Sequence, residues 1–157
     1  MGQRIMYKKI INIVALTILT TTVGMNYINQ PKVAEAKTIQ VSDKTLGTLA
    51  ELAKNPDFFK YSTDGSGLTY KIVPDNQGTP ETKGYSGYFN NGSPAGIVWY
   101  KRIGNMVSVK FLDVDNAPSV AQAKIKEVKI PYRELIKKYY STPEQRQEVD
   151  SFAKTVK

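Results

Sequence analysis

The sequence predicts an α+β domain: an antiparallel sheet of four to five strands, with one N-terminal and two C-terminal helices packed on one face. Three observations support this fold class. Apolar residues recur at helical spacing over residues 42–54 and again over residues 132–156. Between these segments lie short alternating stretches separated by residues that favour turns. The clearest of them is a hairpin over residues 97–112, so we expect the rest of the chain to pack on it.

The hairpin is predicted from alternation on both sides of a turn at Gly104 and Asn105, which both tolerate positive φ. Ser108 and Lys110 are predicted to lie in water, because they alternate with apolar neighbours on the second strand. The apolar side of that strand is predicted to face the core; it comprises Val107, Val109 and Phe111.

Three further strands are predicted around the hairpin, at residues 68–73, 84–89 and 123–130. In the last of these, Ile125 and Val128 are three positions apart and would therefore point to opposite faces of a regular strand. Either the strand carries a bulge near Lys126, or only Val128 and Ile130 face inward. The segment from Pro74 to Lys83 is predicted to be a loop, because it contains Pro, Gly and Asn and no apolar residue to bury.

The first helix is predicted to begin at a cap formed by Ser42 or Asp43 and to run through Lys54. Gly47 inside this helix costs up to about 1 kcal/mol relative to alanine, which predicts a close contact at that position. Two phenylalanines after Pro56 are predicted to seal the helix onto the sheet; they are Phe58 and Phe59.

Two helices are predicted near the carboxyl end of the chain. Pro131 suits the first turn of a helix over residues 132–140. Thr142 is predicted to cap the second helix, with Pro143 at its first helical position and Gln145 completing a capping box.

Residues 1–36 are predicted to be a secretory signal peptide, and residues 37–157 a single exported domain. Basic residues precede an apolar stretch over residues 10–25, and the small residues Ala34 and Ala36 follow it. An uncleaved anchor is the alternative, but the stretch is shorter and more polar than the roughly 20 apolar residues of a membrane span. We therefore expect cleavage after Ala36 and no stable membrane span in the remaining chain.

Composition narrows the class of protein further. No cysteine is present, so no disulfide stabilises the domain, which is typical of Gram-positive secretion. The whole chain carries a net charge of +8, but residues 1–36 contain four of the 22 Lys and Arg and one of the 14 Asp and Glu. The remaining 18 basic and 13 acidic residues leave +5, which weakens any argument for nucleic-acid binding.

Several catalytic chemistries are excluded by missing residue types. Without histidine or cysteine there is no Ser-His-Asp triad, no Cys-His pair and no imidazole or thiolate metal ligand. No glycine-rich phosphate loop is present, and we expect no cofactor. The best carboxylate pair is Asp113 and Asp115, which would point the same way if they lay in a strand. Turn-capping aspartates in a solvated loop are the more ordinary interpretation.

Aromatic residues suggest a more specific surface. Tyr85, Tyr88, Trp99 and Tyr100 lie on neighbouring predicted strands, where exposed rings stack on sugars or peptide side chains. If Trp99 faces the core, Tyr100 faces the side of the sheet that the helices leave uncovered. On that basis the sequence predicts a binding surface comprising Tyr88, Tyr100 and Arg102, although rings buried in the core remain the commoner arrangement.

A basic segment follows this surface in the chain. Lys124, Lys126 and Lys129 are predicted to form a binding rim, extended by Arg133, Lys137 and Lys138. For an exported protein, the expected partner is an anionic cell-wall polymer or another surface protein, and electrostatic attraction to the polymer would fall steeply with salt. Lysines on an outer strand also prevent edge-to-edge pairing without binding anything.

Three segments carry a family resemblance: L-A-x-L-A-x-N-P-D-F-F-K from Leu49, G-Y-S-G-Y-F-N-N-G-S-P-A-G-I-V-W-Y-K from Gly84, and V-K-I-P-Y-R-E-L-I-K-K-Y-Y-S-T-P-E-Q-R-Q-E-V from Val128. In these segments the chain resembles a family of small exported domains of lactic-acid bacteria, which includes secreted proteins and lipoproteins of unknown function. Because this chain lacks the lipid-attached cysteine of the lipoproteins, the resemblance implies a soluble or wall-associated form. It implies no site residue.

Two functional hypotheses follow. The first is a non-catalytic secreted or cell-wall-associated binding module that uses the uncovered sheet face and the basic rim. The second is an extracellular glycan hydrolase that uses Asp113 with Asp115 or Glu127, since such enzymes need only two carboxylates about 5 to 9.5 Å apart. A flat aromatic face would favour the first, and a deep pocket holding two carboxylates would favour the second.

Overall fold

The structure, a computed structural model, describes residues 39–90 and 92–157. The predicted signal peptide lies outside the described residues. Four helices are described: α1 Asp43–Lys54, α2 Phe58–Tyr61, α3 Tyr132–Tyr139 and α4 Pro143–Thr155. Five strands are described: β1 Leu68–Ile72, β2 Ser86–Asn90, β3 Val98–Ile103, β4 Met106–Leu112 and β5 Ile125–Pro131.

The strands form one antiparallel sheet in chain order, β1-β2-β3-β4-β5. The predicted hairpin is confirmed: β3 and β4 pair from Val98 with Phe111 to Ile103 with Met106. Their two-residue connection contains Gly104 at φ +59°, a backbone conformation that favours glycine. The helices pack on one face of this sheet, so the predicted α+β class is confirmed.

The core lies between that face and α1. Helix α1 contacts β2, β3 and β4, α3 contacts β5, and α4 packs against α1. The large side chains that are less than 2 % exposed include Tyr88, Tyr100, Tyr132, Leu49 and Leu135. Two of the three buried tyrosines lie on the sheet and Tyr132 lies on α3. Their three hydroxyl groups require hydrogen-bond partners within the core.

Both predicted helix caps are confirmed. The Ser42 side chain accepts a hydrogen bond from the Thr45 backbone N–H at the start of α1. At the start of α4, Thr142 and Gln145 form a capping box. The phenylalanines of α2 behave differently from the prediction: both rings pack against Phe152 of α4, with centroid distances of 5.1 and 5.5 Å, and so join α2 to a helix.

Strand β5 has a regular register with β4, in which Val109 pairs with Val128 and Val107 pairs with Ile130. No bulge is needed, so the second alternative holds and Val128 and Ile130 share the helix-covered face. The prediction for Ser108 is wrong, since this residue is 1 % exposed. The loop before β2 explains the difference, because it lays Tyr85 over Ser108 on the face away from the helices.

Candidate functional site

Tyr88 and Tyr100 do not form an exposed surface. Both are fully buried, so the predicted exposure of these two side chains is wrong. Each ring faces α1, with the two rings edge to face at a centroid distance of 5.9 Å. The Tyr100 hydroxyl donates to the backbone oxygen of Asp43 at 2.9 Å, and the Tyr88 hydroxyl donates to the backbone oxygen of Lys44. Burial raises the pKa of both phenols, which therefore stay neutral donors.

Arg102 is also engaged within the chain. Its Nη1 donates to Gln40 Oε1 at 2.7 Å, and its guanidinium carbon lies 3.8 Å from the ring centroid of Tyr132. The Tyr132 hydroxyl in turn donates to the backbone oxygen of Ile39 at 2.7 Å. The predicted surface of Tyr88, Tyr100 and Arg102 therefore contacts the chain's own segment 39–44, which it fixes against the sheet.

The opposite face of the sheet presents a different set of side chains. We define the aromatic-lysine face by six residues that lie on it: Lys71, Tyr85, Phe89, Trp99, Lys101 and Lys110. In the strand register, Lys71 pairs with Gly87, Gly87 with Trp99, and Trp99 with Lys110. Because cross-strand partners point to the same side, these residues form one row across four strands. Trp99 is half-buried within this row, between Gly87 and Lys110.

Gly87 makes room for the rings of this face. A Cβ atom at Gly87 would lie 2.7 Å from Phe89 Cε2 and 3.3 Å from Trp99 Cδ1. Since real Cβ atoms do not approach other carbons so closely, glycine allows the two rings to lie over the strand. Phe89 and Trp99 consequently meet edge to face, with centroids 6.4 Å apart and an angle of 86° between the ring planes.

Lysine ammonium groups surround these rings. Lys71 Nζ lies 6.0 Å from the Phe89 ring centroid, and Lys110 Nζ lies 4.3 Å from that of Tyr85. Lys101 Nζ approaches Tyr85 from another side, at 5.7 Å. Lys110 also donates to the backbone oxygen of Glu81 at 2.6 Å, which ties the loop to the face. Aromatic planes and positive charge are thereby combined on one surface.

A cleft of about 360 Å³ opens beside the two rings. Its walls are the end of β1 with Lys71, the loop containing Gly78 and Thr82, and the rings of Phe89 and Trp99. Thr82 is buried, and its Oγ1 accepts a hydrogen bond from the Thr79 backbone N–H at 3.2 Å. This hydrogen bond within the loop stabilises the wall of the cleft. A cleft with flat apolar walls and one ammonium group suits a ring-shaped ligand that carries negative charge.

The predicted basic rim is divided between two surfaces. All six of its residues are exposed: Lys124, Lys126, Lys129, Arg133, Lys137 and Lys138. In β5, Lys126 pairs with Phe111 and so points to the helix-covered side, whereas Lys129 pairs with Ser108 and points to the aromatic-lysine face. These lysines therefore do not form a single rim. Their role in binding remains a prediction.

A family model described as an Lreu_0056-like hypothetical protein matches residues 42–157. The chain belongs to this family. The match includes every residue of the aromatic-lysine face and every residue of the basic segment. No curated protein matches the chain.

An NMR structure of a hypothetical protein from Lactobacillus reuteri is similar to this member of the Lreu_0056-like family. The TM-score is 0.61 and the sequence identity 26 %, and the alignment covers 76 % of this chain and 97 % of the other. The fold described above thus recurs in a solved structure. The predicted resemblance to an uncharacterised family is confirmed at this level.

Carboxylates in this Lreu_0056-like chain are not arranged as the sequence suggested. Asp113 and Asp115 lie at and inside a short 3₁₀ turn, so strand geometry does not align them, and Asp113 accepts a hydrogen bond from Asn116 at 2.9 Å. Ser108 donates to Glu127 at 2.7 Å, and this hydrogen bond holds the pKa of Glu127 below its usual value. A glycosidic acid needs a raised pKa. Among the residues described, no group of three carboxylates suits a metal ion.

One carboxyl group does have a raised pKa. Glu51 of α1 is only 4 % exposed, and burial raises its pKa to about 7, with a smaller opposing effect from Lys54. The residue is buried in the middle of α1, where its charge contributes to raising the pKa of Tyr88. Because general acid catalysis requires contact with the substrate, this position suits a structural role.

Phe89, Lys71 and Lys101 were missed by sequence reasoning, although a usable signal was present. The turn at Gly104 and Asn105 leaves two residues between the strands, which places Tyr100 opposite Val109. Cross-strand partners share a face, and Val109 was already assigned to the core. Tyr100 therefore had to be buried and Trp99 had to lie on the other side.

Proposed function

We propose that this protein is a non-catalytic binding module, exported and held at the cell wall, whose aromatic-lysine face binds an anionic wall polymer. The observation that carries the proposal is the row Lys71, Gly87, Trp99 and Lys110 on the face that the helices leave uncovered. Sugar rings stack on flat aromatic side chains, and ammonium groups attract the phosphate or carboxylate groups between them.

Charge supports this choice of ligand. Lys71 and Lys101 are exposed, and Lys110 is partly exposed. Glu127 is the nearest carboxylate along the same row of strands, and its closest ammonium is Lys129 at 3.8 Å. Lys110 lies opposite Glu127 in the strand register and is partly balanced by it. Lys71 and Lys101 form no salt bridge among the described residues, so an anionic chain lying across the strands would meet these two charges.

Export supports the setting. The predicted signal peptide and the absence of cysteine fit a protein released outside a Gram-positive cell, and the family resemblance is to exported domains of lactic-acid bacteria. In the part of the chain that the structure describes, no helix is long and apolar enough to cross a membrane. N-terminal sequencing of protein recovered from medium or wall should begin at Lys37; recovery with an intact N-terminus in the membrane pellet would contradict this.

Binding is tested with full-length protein produced in a Gram-positive host and purified from its medium. Trp99 is the only tryptophan of the chain, so its fluorescence should change when purified anionic wall polymer is added. The apparent affinity should fall steeply as salt is raised, because exposed charges are screened within roughly 10 Å at 0.1 M. Neutral polysaccharide of similar length should leave the fluorescence unchanged.

Variants separate the two parts of the face. The double variant Lys71→Gln, Lys101→Gln should weaken binding and reduce its salt dependence. Trp99→Ala should weaken binding by roughly tenfold, the loss expected for about 1.4 kcal/mol of stacking. Lys154→Gln removes an exposed lysine from α4 and serves as the control. Retention on isolated walls that is unaffected by salt and by all these variants would overturn the proposal.

The alternative function is that of a carboxylate-dependent glycan hydrolase. No observation in the described residues favours it over binding. Incubating the protein with wall fragments and measuring new reducing ends tests it directly, and their release would replace the proposal above.

A further inference from the structure

The two edges of the sheet differ. At the β1 edge, the Lys157 backbone donates to the oxygen of Leu68 at 3.1 Å and accepts from the N–H of Tyr70 at 2.7 Å, so this edge already has a backbone partner. At the other edge, β5 is seven residues long, regular and paired with β4 along its whole length. No other described strand pairs with the outer side of β5.

The hydrogen bonds at both ends of β5 show which of its backbone groups point outward. The Asp113 N–H donates to Lys124 at 2.9 Å, and the Tyr132 N–H donates to Asn105 at 2.8 Å. Backbone groups alternate in direction along an antiparallel strand, so the even-numbered residues of β5 bond to β4. The backbone groups of the odd-numbered residues then face away from the sheet; these are Ile125, Glu127 and Lys129.

A pocket of about 510 Å³ lies beside this edge, beneath β5. Its apolar walls come from Ile130 of β5, Ala53 of α1, and Leu135 and Tyr139 of α3. Lys137 and Lys138 form part of its rim. An extended peptide paired with β5 would direct alternate side chains toward the helix-covered side, where the pocket is, and so could place an apolar side chain there.

The charge around the edge selects the partner. The six exposed cations of the basic segment are accompanied by two exposed carboxylates, Glu127 and Glu134. Each β5 carries Lys126 and Lys129 against the single carboxylate Glu127, so pairing two copies brings two positively charged strands together and is less favourable than pairing with an acidic strand. An acidic strand would meet opposite charge on both faces, because Lys126 and Lys129 point to opposite sides of β5.

The geometry points to β5 as the docking site of an extended acidic peptide segment of a partner protein, which adds a sixth strand to the sheet and inserts an apolar side chain between β5 and α3. The main-chain hydrogen bonds hold the segment, the pocket selects one apolar residue, and the lysines require acidic neighbours. This site adjoins the row Lys71, Gly87, Trp99 and Lys110, because Glu127 pairs with Lys110, but the outward backbone groups of β5 and the pocket beneath it do not depend on that row.

The probe is a fluorescein-labelled heptapeptide of alternating Glu and Leu. Its fluorescence anisotropy is measured as purified protein is added, and that protein comes from a host that expresses the full-length chain. We expect saturable binding that weakens at least tenfold when Glu is replaced by Lys. Poly-glutamate without apolar residues should bind at least tenfold more weakly. Equal binding of poly-glutamate would reduce the site to a basic patch and overturn the proposal, as would no binding of the alternating peptide at millimolar concentration.

A matched pair at Glu127 separates backbone pairing from charge. Glu127→Gln removes the negative charge but retains the outward N–H, and it should bind the acidic peptide as tightly as the original chain or more tightly. Glu127→Pro removes the same charge together with the N–H, and it should weaken binding at least tenfold. Proline is tolerated on edge strands where the N–H faces solvent, and circular dichroism checks that the variant is folded. Equal binding by the two variants would overturn the proposal.

A second measurement on the unaltered protein avoids any folding effect. Two versions of the same heptapeptide are compared, one methylated at its odd-numbered backbone amides and the other at its even-numbered ones. Methylation blocks strand pairing, so at least one of the two versions should lose binding. Undiminished binding of both methylated peptides would overturn the proposal. So would a concentration-dependent dimer of the protein that Glu127→Pro abolishes, since this would assign the edge to a second copy of the chain.

Discussion

Gly47 of α1 lies directly against the phenol of Tyr100: a Cβ atom on Gly47 would be 2.7 Å from the Tyr100 hydroxyl oxygen. The same atom would also be 2.7 Å from Cζ of Tyr88. Helix α1 therefore approaches the sheet closely only because one residue has no side chain. The tyrosine hydroxyls use this proximity to reach the backbone of the first helical turn.

Gly47→Ala should destabilise the protein by about 2 kcal/mol net, because overpacking against two buried rings at 2.7 Å costs about 3 kcal/mol. The gain in helix propensity, about 1 kcal/mol, offsets only part of this. Urea denaturation measures the difference. Gly67→Ala is the control, since a Cβ there meets nothing within 4 Å, and it should change stability by less than about 0.5 kcal/mol. A Gly47→Ala variant as stable as the control would contradict this packing.

Tyr100→Phe should cost about 1 kcal/mol, the usual net worth of one hydrogen bond, because it removes the donor to Asp43 and leaves the ring in place. Thermal or urea unfolding measures this loss. Tyr61→Phe removes a hydroxyl from a tyrosine that is 79 % exposed, and it should leave the stability unchanged. Equal effects of the two substitutions would show that the buried hydroxyl contributes nothing specific.

Glu51 should make stability depend on pH. Its pKa is raised from 4.5 to about 7 in the folded protein, so the folded state retains a proton that the unfolded state releases as pH rises through 4.5. The stability associated with this proton is complete below about pH 4.5 and is lost progressively up to about pH 7. By pH 8 the accumulated loss is on the order of 3 kcal/mol, from about 1.36 kcal/mol per pKa unit.

Glu51→Gln tests this directly. Relative to the variant, the original chain should lose stability between pH 4.5 and 7 and show no further loss above that range, as measured by urea denaturation at each pH. Glu148→Gln, at an exposed position of α4, controls for the general effect of removing a carboxyl group. A constant difference between the original chain and Glu51→Gln across this range would show that Glu51 is not buried in its neutral form.

The hydrogen bond from Ser108 to Glu127 should be visible in the titration of Glu127. This bond is the main reason that the pKa of Glu127 is lowered, with a smaller contribution from Lys129. Ser108→Ala should raise the midpoint of the Glu127 carboxyl, followed by NMR of its side-chain carbon. Lys129→Gln should raise it less. A larger effect of Lys129→Gln would mean that charge, and not the serine, controls this carboxylate.

Local chemistry made much of the fold predictable. The capping box of Thr142 and Gln145, the turn at Gly104 and the close contact at Gly47 each follow from a rule that acts within a few residues, and each is present. The choice of sheet face for β3 depended on its pairing with β4, in which Tyr100 lies opposite Val109. Because β3 is apolar on both sides, with Val98, Trp99 and Tyr100 in succession, alternation alone did not identify the side that meets the helices.

The candidate site was predicted less well for the same reason. Ser108 has the local pattern of an exposed residue, and only the distant loop that carries Tyr85 covers it. Lys126 and Lys129 are close in sequence, but a strand directs them to opposite faces. A contact made by a distant segment leaves no trace in the local pattern, so the burial of Ser108 required the structure, whereas the opposite faces of Lys126 and Lys129 follow from alternation in the predicted strand.

The position of the tyrosines along the chain has a consequence for how the protein is made. Synthesis proceeds from the amino end, so α1 emerges before the residues that fix it in place, and the Tyr132 that holds Ile39 follows 93 positions later. A helix of 12 residues is marginal by itself in water. Among the described helices, α1 is thus the first to be synthesised, and it cannot make all of its stabilising contacts until the chain as far as Tyr132 is available.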